Sequence, residues 1–170
     1  MTFSASVKEE LEGIISPARH CQIAELAAMF AFGGEIKYGA EKRLSLHFLA
    51  ENESVARKYF TLLEKTFRIS KVFSIGDVLY RKNNKYVVDI PGEDEAIRIL
   101  QAMKYLSQDR MPITFNGLVN PLIIQKNCCK RAFLRGAFLC AGSISDPEKF
   151  YHFEIVCTSS IKASGNASQL

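Results

Sequence analysis

The chain has 170 residues, 48% of them hydrophobic and 24% charged, with a formal net charge of +4. This is enough apolar material for one sizeable core, as one domain or a domain plus a fragment. No apolar stretch reaches the roughly 18 residues a transmembrane helix needs, and Lys8, Glu9, Glu10 and Glu12 with no apolar run behind them exclude a secretory signal, so the expected location is the cytoplasm.

In chain order, the spacing predicts an amphipathic helix over residues 3–15, a break at Ser16-Pro17, and an apolar helix over 21–32. Residues 36–38 and 44–49 read as a hairpin around Gly39. Helical spacing returns over 52–67 through Val55, Tyr59, Leu62 and Leu63. A second hairpin is expected from 72–82 and 85–90, joined by Asn83-Asn84, because Asn tolerates the positive φ of a two-residue turn. Pro91-Gly92 ends it, and a helix over 94–106 turns Ile99, Met103 and Leu106 inward. Pro112, Gly117 and Pro121 mark the following stretch as a linker.

One segment then recurs. Leu26-Ala27-Ala28-Met29-Phe30-Ala31-Phe32-Gly33-Gly34 and Leu134-Arg135-Gly136-Ala137-Phe138-Leu139-Cys140-Ala141-Gly142 are both apolar helices rich in small residues that stop at Gly and run into strand-like sequence. Their flanks also correspond, Gly34-Glu35-Ile36 with Gly142-Ser143-Ile144. A repeat of this kind implies a pseudo-symmetric fold in which the two helices form a central seam, small side chains letting their axes approach closely.

The second copy resembles the LAGLIDADG motif of homing endonucleases, and Cys128-Cys129-Lys130-Arg131-Ala132-Phe133-Leu134-Arg135-Gly136-Ala137-Phe138-Leu139 resembles the WhiA family of bacterial sporulation regulators. Phe3-Ser4, Val7-Lys8-Glu9-Glu10-Leu11, His20-Cys21, Glu25-Leu26 and the run from Tyr151 to Cys157 extend the resemblance over about residues 1–158. It implies an α+β, LAGLIDADG homing-endonuclease-like pseudo-symmetric fold: an extra amino-terminal helix (1–20), an αββαββα first half (21–107), a linker (108–126) and an incomplete second half (127–170). Family members continue into further elements and a helix-turn-helix domain, so the chain reads as a truncated relative. A half-covered apolar face is then expected to favour self-association.

In LAGLIDADG nucleases the eighth position of each motif is acidic and holds divalent metal; here those positions are Gly33 and Ala141, which ligate nothing. No catalysis and no cofactor are expected. The cysteines Cys21, Cys128, Cys129, Cys140 and Cys157 form no CxxC pair, and adjacent Cys128 and Cys129 are expected on different sides of a helix, as reduced structural thiols. His20, His47 and His152 are read as ordinary packed or exposed histidines.

The +4 arises entirely beyond residue 70. Arg81, Lys82 and Lys85 cluster at the Asn-Asn hairpin tip, where Lys82 and Lys85 would repel unless an anion lies between them. They are candidate phosphate contacts, with Lys37, Arg43 and Lys149 as further candidates on hairpins lining a saddle. The competing reading is a charged tip that protects a sheet edge. Lys126, Lys130, Arg131 and Arg135 are read as the wet face of a helix. The expected function is a non-catalytic domain of a nucleoid-associated transcription regulator of sporulation or cell division, with double-stranded DNA as partner. A protein-interaction or ligand-sensing platform is the alternative, and an active metal nuclease the third and weakest.

Overall fold

The computed structural model describes residues 2–156. Helix α1 (Phe3–Glu12) starts where the Thr2 hydroxyl accepts from the Ala5 amide at 3.1 Å. Helix α2 (Arg19–Gly33) is buried continuously from Cys21 to Ala31, so no side of it is polar for long. It is covered mainly by α6 (Asn127–Ala141), and the seam is narrow because Gly136 sits against it: a Cβ there would stand 2.5 Å from the Glu25 carbonyl oxygen.

In chain order, the segment between the seam helices forms an antiparallel sheet ordered β1 (Gly34–Tyr38), β2 (Leu44–Ala50), β4 (Lys85–Ile90), β3 (Leu79–Lys82). Alternation along the strands turns Leu46, Phe48, Ala50, Val88 and Ile90 inward, under helices α3 (Glu53–Phe67) and α5 (Glu93–Ala102). Phe48 stacks on Tyr59 of α3 at 4.0 Å between ring centroids. Asn83 and Asn84 adopt φ of 53° and 63°, the two left-handed residues the hairpin requires. After α6 come β5 (Gly142–Ile144) and β6 (Phe153–Ile155), a separate two-stranded ribbon. The helix, two strands, helix, two strands, helix order is the expected LAGLIDADG-like half.

Three expectations change. Residues 72–78 are not strand: a one-turn helix, α4 (Ile75–Val78), begins there because the Asp77 carboxylate accepts from the Ser74 amide at 2.9 Å. Helix α5 ends at Ala102, four residues early, because Lys104 turns into the left-handed region and the Tyr105 amide bonds back to the Leu100 carbonyl. The stretch between α5 and α6 is not a loose linker. Leu118, Val119, Ile123 and Ile124 are buried in the main core, and Asn120 caps a 3-10 turn at Pro121–Ile124. Among the described residues no helix is long and apolar enough to cross a membrane. The part of the expected incomplete second half beyond residue 156 lies outside the described residues.

Candidate nucleic-acid interface

The two seam helices end side by side. Gly34 and Gly142 cap them with nearly identical backbone angles, and at each a Cβ would stand 2.1 Å from the ring of the Phe four residues earlier, Phe30 or Phe138. One residue before each cap lie Gly33 and Ala141. Position 33 is closed to any side chain: a Cβ would meet the Leu49 carbonyl oxygen at 2.7 Å and the Phe48 ring at 2.8 Å. Below the helix ends is a cavity of about 440 Å³ whose lining includes Lys8, Glu35, His47, Glu51 and Lys85. Its two carboxylates come from β1 and from the residue after β2, not from the helix ends. Burial holds the Lys8 amine below its usual range, and its ammonium lies 5.5 Å from the centre of the Phe138 ring.

Beside this cavity the sheet turns its other face outward, and period-2 alternation decides which charges share it. Glu35 and Lys37 stand on β1, His47 on β2, Asp89 and Lys85 on β4, Tyr80 and Lys82 on β3. Asp89 is engaged from both sides: His47 Nδ1 contacts Oδ1, and the Tyr80 hydroxyl donates to Oδ2 at 2.6 Å. That hydrogen bond to a carboxylate is the main reason the Tyr80 phenol is pushed up to about 12. Lys82 and Lys85 are register partners, as the hairpin implies, and the anion that relieves them is Glu51, 3.1 Å from Lys85 Nζ.

The six candidate phosphate contacts therefore separate. Lys37, Lys82 and Lys85 share the outward face. Arg81 is on the opposite face, its guanidinium 5.7 Å from the Tyr86 ring centre and 3.4 Å from Asn84 Oδ1. Arg43 lies in the β1–β2 connection, paired loosely with Glu41 at 3.6 Å. Lys149 sits in the β5–β6 loop, its amide bonded to the Asp146 carbonyl. Arg135, expected on a wet face, instead reaches across the seam to the fully buried Glu25 at 2.6 Å, and Lys58 approaches the same carboxylate at 3.4 Å. Lys58 also donates to the Leu11 and Ile14 carbonyls, tying the end of α1 to α3.

At the other pole, where α2 and α6 begin, Cys21, Cys128 and Cys129 are the buried or half-buried free thiols expected, but they gather around His20. One ligand atom from each of His20, Cys21, Cys128 and Cys129 lies within 4.8 Å of the others. His20 Nδ1 is 3.2 Å from Cys129 Sγ, 3.4 Å from Cys21 Sγ and 3.9 Å from Cys128 Sγ. Adjacent helical residues diverge by about 100°, but here two helix starts face each other and each adjacent pair straddles the gap. Burial, followed by the neighbouring thiols, pushes the Cys129 thiol up to about 11, while a hydrogen bond with Cys21 lowers Cys128. The sequence carried one signal for this grouping. The offset of 108 residues that aligns the seam helices also aligns His20 with Cys128 and Cys21 with Cys129.

Both halves of the chain match known families. Residues 19–104 match the WhiA N-terminal LAGLIDADG-like domain, and residues 130–164 match the WhiA LAGLIDADG-like domain. The chain belongs to the WhiA family. It is 40% identical over 157 residues to a probable cell division protein WhiA of Desulforamulus reducens, covering 92% of this chain and 48% of that protein. A probable cell division protein WhiA of Lachnoclostridium phytofermentans is 42% identical over 164 residues, covering 92% and 50%. This chain thus spans about half the length of these WhiA relatives. Two WhiA crystal structures share the fold. Full-length WhiA from Thermatoga maritima aligns with a TM-score of 0.59 at 23% identity, over 91% of this chain and 44% of that one. An N-terminal LAGLIDADG domain of WhiA aligns at 0.57 and 22%, over 91% and 65%. Within the WhiA frame the helix ends at Gly33 and Ala141 supply no acid, and Gly33 has no space for one.

Proposed function

We propose that this chain is a non-catalytic domain of a WhiA-family regulator of cell division and sporulation, and that it contacts duplex DNA through the outward face of its four-stranded sheet. The observation that carries this is how that face spends its charges. Asp89 is held by His47 and Tyr80, and Glu51 is held by Lys85, whereas among the described residues no ion pair holds Lys37, Lys82 or the single acid Glu35, so the unpaired charges of the face are two positive and one negative. Lysines outnumbering the unpaired acid on a strand face suit phosphates, contacts to which fix position and carry no sequence information. The relatives' printed role in cell division fits a domain that orients a larger regulator on DNA.

Fluorescence anisotropy with duplex DNA across a salt series tests this. Binding is expected at low salt and to weaken as salt rises, with a log–log slope of about 0.9 per phosphate contact. Lys37→Glu with Lys82→Glu should abolish it, and Arg81→Glu, on the other face, should leave it nearly intact. Absence of binding by folded protein at low salt, or equal loss in Arg81→Glu, sinks the assignment.

One observation favours ligand sensing as a second reading. A cavity of about 480 Å³ beside α2 and α5 is lined by Arg19, Arg98, Lys104 and Lys126, a setting for a small anion. A melting-temperature shift with polyphosphates or dicarboxylates, unaffected by the Lys37 and Lys82 changes, would support that reading.

A further inference from the structure

We propose that His20, Cys21, Cys128 and Cys129 bind one zinc ion as a tetrahedral three-cysteine, one-histidine site that clamps the starting ends of α2 and α6 together. Four potential ligand atoms from two helices fall within 4.8 Å of one another, and the three nitrogen–sulfur separations are 3.2, 3.4 and 3.9 Å. A tetrahedron with Zn–S near 2.3 Å and Zn–N near 2.0–2.1 Å has edges of roughly 3.5–3.8 Å, so closing this cluster onto the ion needs only adjustments of a few tenths of an ångström for these pairs.

The chemistry of the set selects the metal. Three thiolates and an imidazole, with no carboxylate among them, disfavour magnesium and calcium and suit zinc. Four protein ligands make a closed, structural site rather than one with a position open for substrate. Without metal, burial and the neighbouring thiols disfavour the Cys129 thiolate, so the charge of the ion itself and the helix starts must supply the compensation. All four residues lie in the first turns of their helices, where two helix dipoles present positive ends together. Binding releases the protons of the thiols to solvent, and the resulting site, one zinc with three thiolates, carries a single negative charge beside the cations of Arg19 and Lys126. Cys21 and Cys129 are buried while His20 is exposed, so an ion has a way in from solvent.

The placement also gives the ion a task. The seam has one pole at the helix ends, where LAGLIDADG nucleases hold their metals and this chain holds Gly33 and Ala141. The proposed zinc is at the opposite pole, joining parts of the chain 108 residues apart. It would fix the angle between the halves, and thereby the curvature of the surface they present.

The test uses the full 170-residue chain, purified without a metal-binding tag under anaerobic, reducing conditions. Elemental analysis is expected to give one zinc per chain. Cobalt(II) replacing zinc should show the intense d–d and sulfur-to-metal absorption of a tetrahedral thiolate site. His20→Ala and Cys128→Ser should each lose that spectrum, and Cys140→Ser should keep it. Should the variants not fold, alkylation of the wild-type chain decides independently: zinc should shield Cys21, Cys128 and Cys129 but not Cys140. Several results would overturn the proposal: no uptake of zinc or cobalt by the metal-free chain, a preference for iron or copper, unchanged uptake in the variants, or a disulfide among these cysteines in reduced, folded protein.

Discussion

A Cβ at position 33 has no free volume, since the Leu49 carbonyl and the Phe48 ring already occupy it. Restoring the acid that nuclease motifs carry is therefore expected to be costly. Gly33→Asp should destabilise the chain by about 1–3 kcal/mol through overpacking, measured by urea denaturation, and calorimetry should show no magnesium or calcium binding in the folded variant. Ala141→Asp, which starts from a residue that already has a Cβ, should cost less. The loss of the acids was legible, because residue type alone removes a ligand. The thiol and imidazole cluster was not, because the angle between neighbours on one helix says nothing about a second helix meeting it. Only the 108-residue offset carried that information, and it pairs His20 with Cys128, unlike residues that do not look like a repeat.

The seam between α2 and α6 holds a carboxylate with no access to solvent, Glu25, whose Oε2 has no hydrogen-bond partner among the described residues. Glu25 is paired with Arg135 and Lys58. Breaking a buried pair by removing one partner is typically worth about 3–5 kcal/mol; with Lys58 still present, Arg135→Ala is expected at the lower end, and replacing Glu25 and Arg135 together by Leu and Met should recover little, because it leaves buried Lys58 without its counter-charge. Thermal and urea unfolding of the single and double variants check this. Arg135 was misread because i, i+4 and i+5 spacing from Lys126 looks like a solvated stripe, whereas the seam is narrow enough at Gly136 for the adjacent long side chain to reach across it to Glu25. The Asn83-Asn84 turn was legible for a local reason: two residues that accept positive φ adjoin two strands. The one-turn helix α4 was hidden by Val72, Phe73, Ile75 and Val78, apolar enough to read as strand, although the Ser74–Asp77 capping pair was the signal for it.

Across the molecule, burial is concentrated on the seam and the inner face of the sheet, with the segment from Leu118 to Ile124 drawn into the same core. Hydrogen exchange read by mass spectrometry should therefore protect α2 and the buried half of α6 most, protect residues 118–124 far better than a linker, and leave the β5–β6 ribbon the least protected of the strands. Rapid exchange over 118–124 would show that this segment is only loosely docked. The alternation of helices with strand pairs was readable from periodicity; the integration of the connecting stretch was not, because Pro and Gly signal turns and do not report whether the apolar residues between them are covered. The seam also sets a schedule for synthesis. Corresponding positions of the two helices are separated by 108 residues, so at roughly 5–20 residues per second α2 leaves the ribosome about 5–20 s before its partner exists. During that interval the most apolar helix among the described residues has its seam face bare, so the nascent chain exposes this face until α6 arrives.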